Sequence, residues 1–142
     1  MTEKPFEYRL EDILLGQKKK FTVKITETML NNFAEISGDH NPLHMDENYA
    51  RTTRFGKRLC HGMLLASLFS RMVGMYMPGK NALYFSQSLN FKSPCFINDE
   101  VTVECEVLNK CTSSRIITLK TTISNQTGEC LVDGLAKVMV QE

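Results

Sequence analysis

All three histidines of the chain fall between positions 40 and 61. Asp39, His40, His44, Asp46 and His61 crowd that window, which is also the least regular stretch of the sequence. Imidazoles and carboxylates are the groups that move protons near neutral pH, and functional groups concentrate on loops held by a rigid scaffold. Three chemistries compete for these residues. The first is a metal centre. His40 and His44 are four apart, which on a helix puts both rings on one face, but Pro42 between them opposes a continuous helix and no Glu follows His40 as in a zinc-protease helix. The second is a cysteine nucleophile. Cys60 adjoins His61, yet sequence neighbours seldom face one another, and cysteine is commonly a small buried hydrophobe. The third is an acid–base pair. Asp39 and His44 flank Asn41-Pro42, where a tight turn would bring carboxylate and imidazole to one water molecule, as hydration or dehydration requires. On residue types alone this stands level with the plain alternative, in which Asp39 caps a helix and His44 packs.

The surrounding elements must position these groups. Phe21, Val23 and Ile25 alternate with polar residues and predict a half-buried strand over residues 18–25. Thr26 can cap a helix carrying Met29, Leu30, Phe33, Ala34 and Ile36, with Gly38 as its stop. Residues 39–43 then read as loop, Asp46 as the cap of a short turn through Tyr49 and Ala50, and residues 51–59 as a second, basic loop. Residues 62–77 are apolar around almost the whole helical circumference. Sixteen residues make a helix of about 24 Å, and such a helix is expected to be buried on nearly all sides. Pro78-Gly79 end it. Residues 82–91, 100–108, 115–124 and 130–140 read as strands, the last apolar on both faces like a central strand. Residues 1–15 read only as an N-terminal arm or short helix. The simplest way to bury the central helix is to wrap a curved antiparallel sheet around it, an α+β architecture with one core.

The chain has 142 residues, enough for a single domain over 1–142. With 42% apolar and 23% charged residues it is neither disordered, collagen-like nor a bare coiled coil. Seventeen Lys and Arg against sixteen Asp and Glu leave a charge of +1, without the basic excess of a free-standing nucleic-acid binder. The five cysteines are odd in number and form no Cys-x-x-Cys pair, so neither a zinc ribbon nor a disulfide scaffold follows. Residues 1–9 are polar and charged, and residues 63–77 contain Arg71 and fall short of a membrane span. The expectation is a reduced, soluble, cytoplasmic protein with no membrane and no nucleic-acid partner.

The run Phe33-Ala34-Glu35-Ile36-Ser37-Gly38-Asp39-His40-Asn41-Pro42-Leu43-His44, with Ala50 six positions later, resembles the signature of the MaoC-like, (R)-specific enoyl-CoA hydratases. The likeness continues through His61-Gly62-Met63-Leu64-Leu65-Ala66-Ser67 and Ser70, through Pro78-Gly79-Lys80, and into Gln87-Ser88-Leu89-Asn90-Phe91-Lys92. It spans most of the chain, from about Gly16 onward. The resemblance implies the hot-dog fold, a long central helix wrapped by an antiparallel sheet, and a homodimer with acyl-thioester sites near the subunit interface. It implies reversible addition of water to trans-2-enoyl-CoA, giving the (R)-3-hydroxyacyl-CoA, without metal or cofactor.

By motif position Asp39 and His44 are the implied catalytic pair, Asp39 accepting a proton from water and His44 orienting it. Their pocket is expected to be water-poor, since partial burial would raise a carboxyl too acidic to be a good base. The Gly62 N–H at the helix start would meet charge building on the thioester oxygen. Ser70 is the implied partner of Asp39. Asn41, counted with the substrate site, is expected to brace the loop, as is His61. Leu65, Phe69 and Val73 would wall the acyl channel. Arg54, Lys57, Arg58 and Lys92 are candidates for the CoA phosphates. Close alternatives are a (3R)-hydroxyacyl-ACP dehydratase, a hot-dog thioesterase, and a non-catalytic acyl-thioester-binding subunit.

Overall fold

A computed structural model describes residues 3–141. The alternation around Phe21 forms β1 (Lys18–Lys24). Thr26 caps α1 (Glu27–Ser37), its hydroxyl accepting from the Met29 N–H, and Gly38 ends that helix at φ 77°. A left-handed residue after the last turn reverses the chain, and glycine adopts it without steric cost. The stretch expected to be loop is partly helical. Asn41 caps α2 (Pro42–Met45), with Pro42 in the first turn, where its missing N–H costs nothing. Asp46 caps α3 (Glu47–Arg51). The central helix is α4 (Gly62–Arg71), continued by a π-helical turn over Met72–Tyr76. A short 3-10 turn at Leu10–Asp12 is the one helical piece of the described N-terminal arm; Met1 and Thr2 lie outside the described residues.

Five strands follow the central helix: β2 (Ala82–Gln87), β3 (Asn90–Phe91), β4 (Glu100–Cys111), β5 (Ile116–Ser124) and β6 (Cys130–Val140). The segment expected as one strand over residues 82–91 is broken into β2 and β3. At the break the Ser88 hydroxyl accepts from the Leu135 N–H, and the backbone comes so close to Gly134 that a Cβ there would lie 1.8 Å from the Ser88 carbonyl oxygen. All pairings are antiparallel, in the order β1-β4-β5-β6-β2 with β3 also on β6.

Val101, Val103, Cys105 and Val107 alternate inward on β4, as do Ile117, Leu119 and Ile123 on β5. They pack with Leu64, Leu65, Leu68 and Phe69 of α4 and with Met72, Val73 and Met77 just beyond it, in one buried cluster. Thr121 is the polar exception on that face. Its hydroxyl donates to the Gly134 carbonyl at 3.0 Å and accepts from Gln87 Nε2 at 3.0 Å, so nothing polar is left unpaired there. α4 is less enclosed than the expected burial on nearly all sides. Met63, Ser67, Ser70, Arg71 and Gly74, spaced three and four apart, lie on an exposed stripe along the helix. No helix of the described residues is long and apolar enough to cross a membrane.

Candidate active site

The first loop delivers Asp39 directly from the C-cap of α1. Its N–H donates to Ser37 Oγ at 3.1 Å, and its Oδ1 accepts from the Asn41 N–H at 3.2 Å. Asn41 Oδ1 in turn accepts from the Leu43 N–H at 2.9 Å, so two consecutive side chains hold the turn that starts α2. His44 stands on α2. Its Nδ1 lies 2.9 Å from the Leu59 carbonyl, an acceptor only, so Nδ1 carries the proton and Nε2 is the free nitrogen. Arg58 secures this turn from behind. It is buried, its Nε donates to the His44 carbonyl at 2.6 Å, and its Nη1 donates to Glu27 Oε2 of α1 at 2.7 Å.

His61, at the mouth of α4, is 1% exposed. Its ring stacks on His44 with centroids 4.2 Å apart and packs against Phe33 at 4.8 Å. Nε2 lies 3.1 Å from the Asp39 carbonyl, tying the helix start to the Asp39 loop, while Nδ1 has no hydrogen-bond partner. Burial holds the imidazole below the ordinary histidine pKa, with the nearby His44 and Arg58 adding to the effect against the Asp39 carbonyl contact.

Asp39, His44 and His61 each bring a nitrogen or carboxylate oxygen within 4.8 Å of the others, the one such His/Cys/Asp/Glu group among the described residues. Two groups hydrogen-bonded to one water sit up to about 4.6 Å apart, so a spacing within that bound accommodates a shared water. Beside the cluster opens a cavity of ≈ 510 Å³, lined by Asp39, His44, His61 and Gly62 and walled by apolar residues including Leu65, Phe91 and Leu131. Gly62 is the first residue of α4, and its N–H has no backbone acceptor among the described residues. An acidic oxygen, an imidazole nitrogen and an unpaired helix-start N–H therefore border one partly apolar cavity.

The remaining residues of the implied site are placed differently. Phe69 and Val73 are core residues and do not line the cavity; of the three implied walls only Leu65 does. Asn41 is exposed and braces the loop. Ser70 makes no hydrogen bond to Asp39 within the chain. It is exposed and stands about 12 Å along α4 from Gly62. Asp39 is itself exposed, so a water-poor pocket around it is not formed by this chain alone. Of the four cations, Arg54 and Lys92 line the cavity. Lys57 lies over the Phe96 ring, and Arg58 is committed to Glu27 and His44. The far wall, Phe91 to Cys95 with Leu131 and Val132, is a non-local contact of β3 and β6 that no spacing in the sequence signals.

Residues 13–128 match the family model of the MaoC-like domain. The chain belongs to the MaoC-like domain family. It is 44% identical over 128 residues to an (R)-specific enoyl-CoA hydratase of Aeromonas caviae, across 90% of this chain and 96% of that protein. Over 69 residues it is 51% identical to a mitochondrial 3-hydroxyacyl-[acyl-carrier-protein] dehydratase of Arabidopsis thaliana, across 49% of this chain and 40% of that protein. Among solved structures the R-hydratase PhaJ1 of Pseudomonas aeruginosa, unliganded, superposes with a TM-score of 0.91 at 39% identity, across 94% of this chain and 86% of that one. The wrapped-helix architecture is thus the hot-dog fold of this MaoC-like family.

Proposed function

We propose that this MaoC-like protein is an (R)-specific enoyl-CoA hydratase that reversibly adds water to trans-2-enoyl-CoA. The observation that carries the reading is the convergence of Asp39 and His44, each fixed by backbone hydrogen bonds, at a cavity bordered by the free Gly62 N–H. Asp39 takes the proton of the attacking water. His44, its tautomer set by Leu59, presents the Nε2 lone pair to the same water and orients it, and the proton that Asp39 takes up is the one returned to the α-carbon, so hydroxide adds at the β-carbon and the carboxylate is regenerated. The Gly62 N–H receives the charge that builds on the thioester oxygen, and the positive end of the helix dipole reinforces it. Arg54 at the cavity wall suits an anionic carrier, which CoA and a phosphopantetheinyl protein both supply, whereas the Lys92 ammonium is paired with Asp133.

The reading includes a homodimer of single-domain chains. β2 is the end strand of the sheet, and Leu83, Tyr84 and Phe85 on it and Met63 on α4 are exposed apolar residues. Pairing two such edges removes an aggregation-prone feature. Ser70, on the exposed face of α4, could then meet Asp39 only across the two chains. Five free thiols suit a cytoplasmic location.

The test is purified protein with crotonyl-CoA and with crotonyl-ACP, followed by chiral analysis of the product. The hydratase reading expects (R)-3-hydroxybutyryl-CoA and faster turnover on the CoA thioester. Faster turnover on the ACP thioester would favour the dehydratase alternative, which the similarity to the Arabidopsis protein keeps specific. Release of free thiol without hydroxyacyl product would contradict both.

A further inference from the structure

The two-residue strand β3 sits on β6 with Asn90 opposite Asp133 and Phe91 opposite Val132. Strand alternation turns residues 90 and 92 to one side and residue 91 to the other. On the first side the Asp133 carboxylate is gripped twice. Oδ1 accepts from Asn90 Nδ2 at 3.0 Å and Oδ2 accepts from Lys92 Nζ at 3.2 Å. The Lys92 N–H also donates to the Leu131 carbonyl at 2.8 Å. These bonds hold the short strand on both flanks of Phe91. On the other side the Phe91 ring lies against Gly62. A Cβ built on Gly62 would stand 2.8 Å from Cδ1 and 2.9 Å from Cε1 of the ring, closer than side-chain carbons approach. The same ring lines the cavity and remains 54% exposed.

We propose that Phe91 is a substrate-positioning residue that roofs the mouth of α4, excludes water from the Gly62 amide and gives the acyl thioester an apolar ledge, with Asp133 clamping the strand that carries it. The proposal rests on the hydratase reading of the site. It supplies a reason for glycine at 62 beyond close approach of substrate: only a residue without a side chain lets the ring reach the helix start. A hydrogen bond from that amide is worth most where water cannot compete for it, so the ring acts mainly on the reacting thioester rather than on capture of the carrier.

The experiment compares wild type, Gly62→Ala, Phe91→Leu, the double variant, Phe91→Ala and Phe91→Tyr in crotonyl-CoA hydration, with thermal melts of each. Gly62→Ala is expected to lose about a hundredfold or more in kcat/KM, and Phe91→Leu in the same protein to restore at least about tenfold of that loss together with the melting temperature. Phe91→Ala is expected to lower kcat about tenfold or more while KM moves less than about threefold, and Phe91→Tyr to retain activity. A double variant whose loss is the product of the single losses, or Phe91→Ala with wild-type kcat, overturns the proposal. Wild-type protein inactive on every thioester would instead sink the hydratase reading. In that event recovery of melting temperature in the double variant still tests the Gly62–Phe91 contact, and its absence overturns it.

Discussion

At the scale of residues, two histidines in stacking contact have different surroundings. His44 bonds through Nδ1 and lines the cavity, whereas His61 is sealed in the helix mouth and tied to the Asp39 carbonyl. A buried histidine with a lowered pKa stays neutral in the folded chain while the unfolded chain takes up a proton. Its linkage therefore costs nothing above the ordinary value of 6.5 and removes stability as pH falls below it. Urea denaturation of wild type and His61→Gln between pH 7.5 and 5.5 should show wild type losing up to about 1.4 kcal/mol per pH unit more than the variant. Parallel pH profiles would contradict the assignment. Arg58 gives the second prediction at this scale. Arg58→Leu removes both charged hydrogen bonds that hold α2 to α1 and is expected to cost about 2–3 kcal/mol in urea denaturation. It should also lower the hydration rate through His44. Unchanged stability would mean that the clasp is dispensable.

At the scale of elements, the site is a set of helix ends. Asp39 follows the C-cap of α1, His44 rides a four-residue helix, and His61 and Gly62 open α4. Gly38, left-handed at φ 77°, aims the chain from α1 toward the cavity. Gly38→Ala is expected to cost about 1–2 kcal/mol and to lower kcat, since Asp39 follows directly. A variant of wild-type stability and rate would show that the turn tolerates other conformations.

This local logic explains what could be read from the sequence. Alternation on β4 and β5, the Thr26 and Gly38 caps and the Asp46 cap are short-range signals and appear where expected. The Asp39–Asn41–Leu43 turn is equally local, but on residue types the approach of Asp39 to His44 is one of two level readings, and only the family resemblance singles it out. Four features were not legible. Pro42 obscured α2, because proline is a helix breaker everywhere but in the first turn. The three- and four-residue spacing of Ser67, Ser70, Arg71 and Gly74 along α4 is in the sequence, but that this stripe faces solvent is decided by where the sheet packs, which is not. Arg58, expected at the carrier, is buried by a pairing with Glu27 thirty-one positions away. Phe91 reaches Gly62 only because β3 returns to β6, a tertiary pairing with no periodic signal.

At the scale of the whole molecule, an incomplete enclosure stands out. Asp39 is exposed, Ser70 is exposed without a hydrogen bond to it, and the end strand β2 carries the exposed Leu83, Tyr84 and Phe85. All three find a use if a second copy covers them. Light scattering is expected to give a dimer for wild type and a monomer for the Leu83→Lys, Phe85→Lys variant. Hydration activity should fall with the dimer. A variant that stays dimeric would place the contact elsewhere on the surface. The most direct measurement of the catalytic claim is the rate at which the enoyl-thioester absorbance of crotonyl-CoA disappears with wild type, Asp39→Asn and His44→Ala, each checked for native circular dichroism. Rapid loss with wild type and rates lower by about 10³-fold or more with either variant are expected for residues that share the reacting water. Wild-type rates in either folded variant would contradict the account.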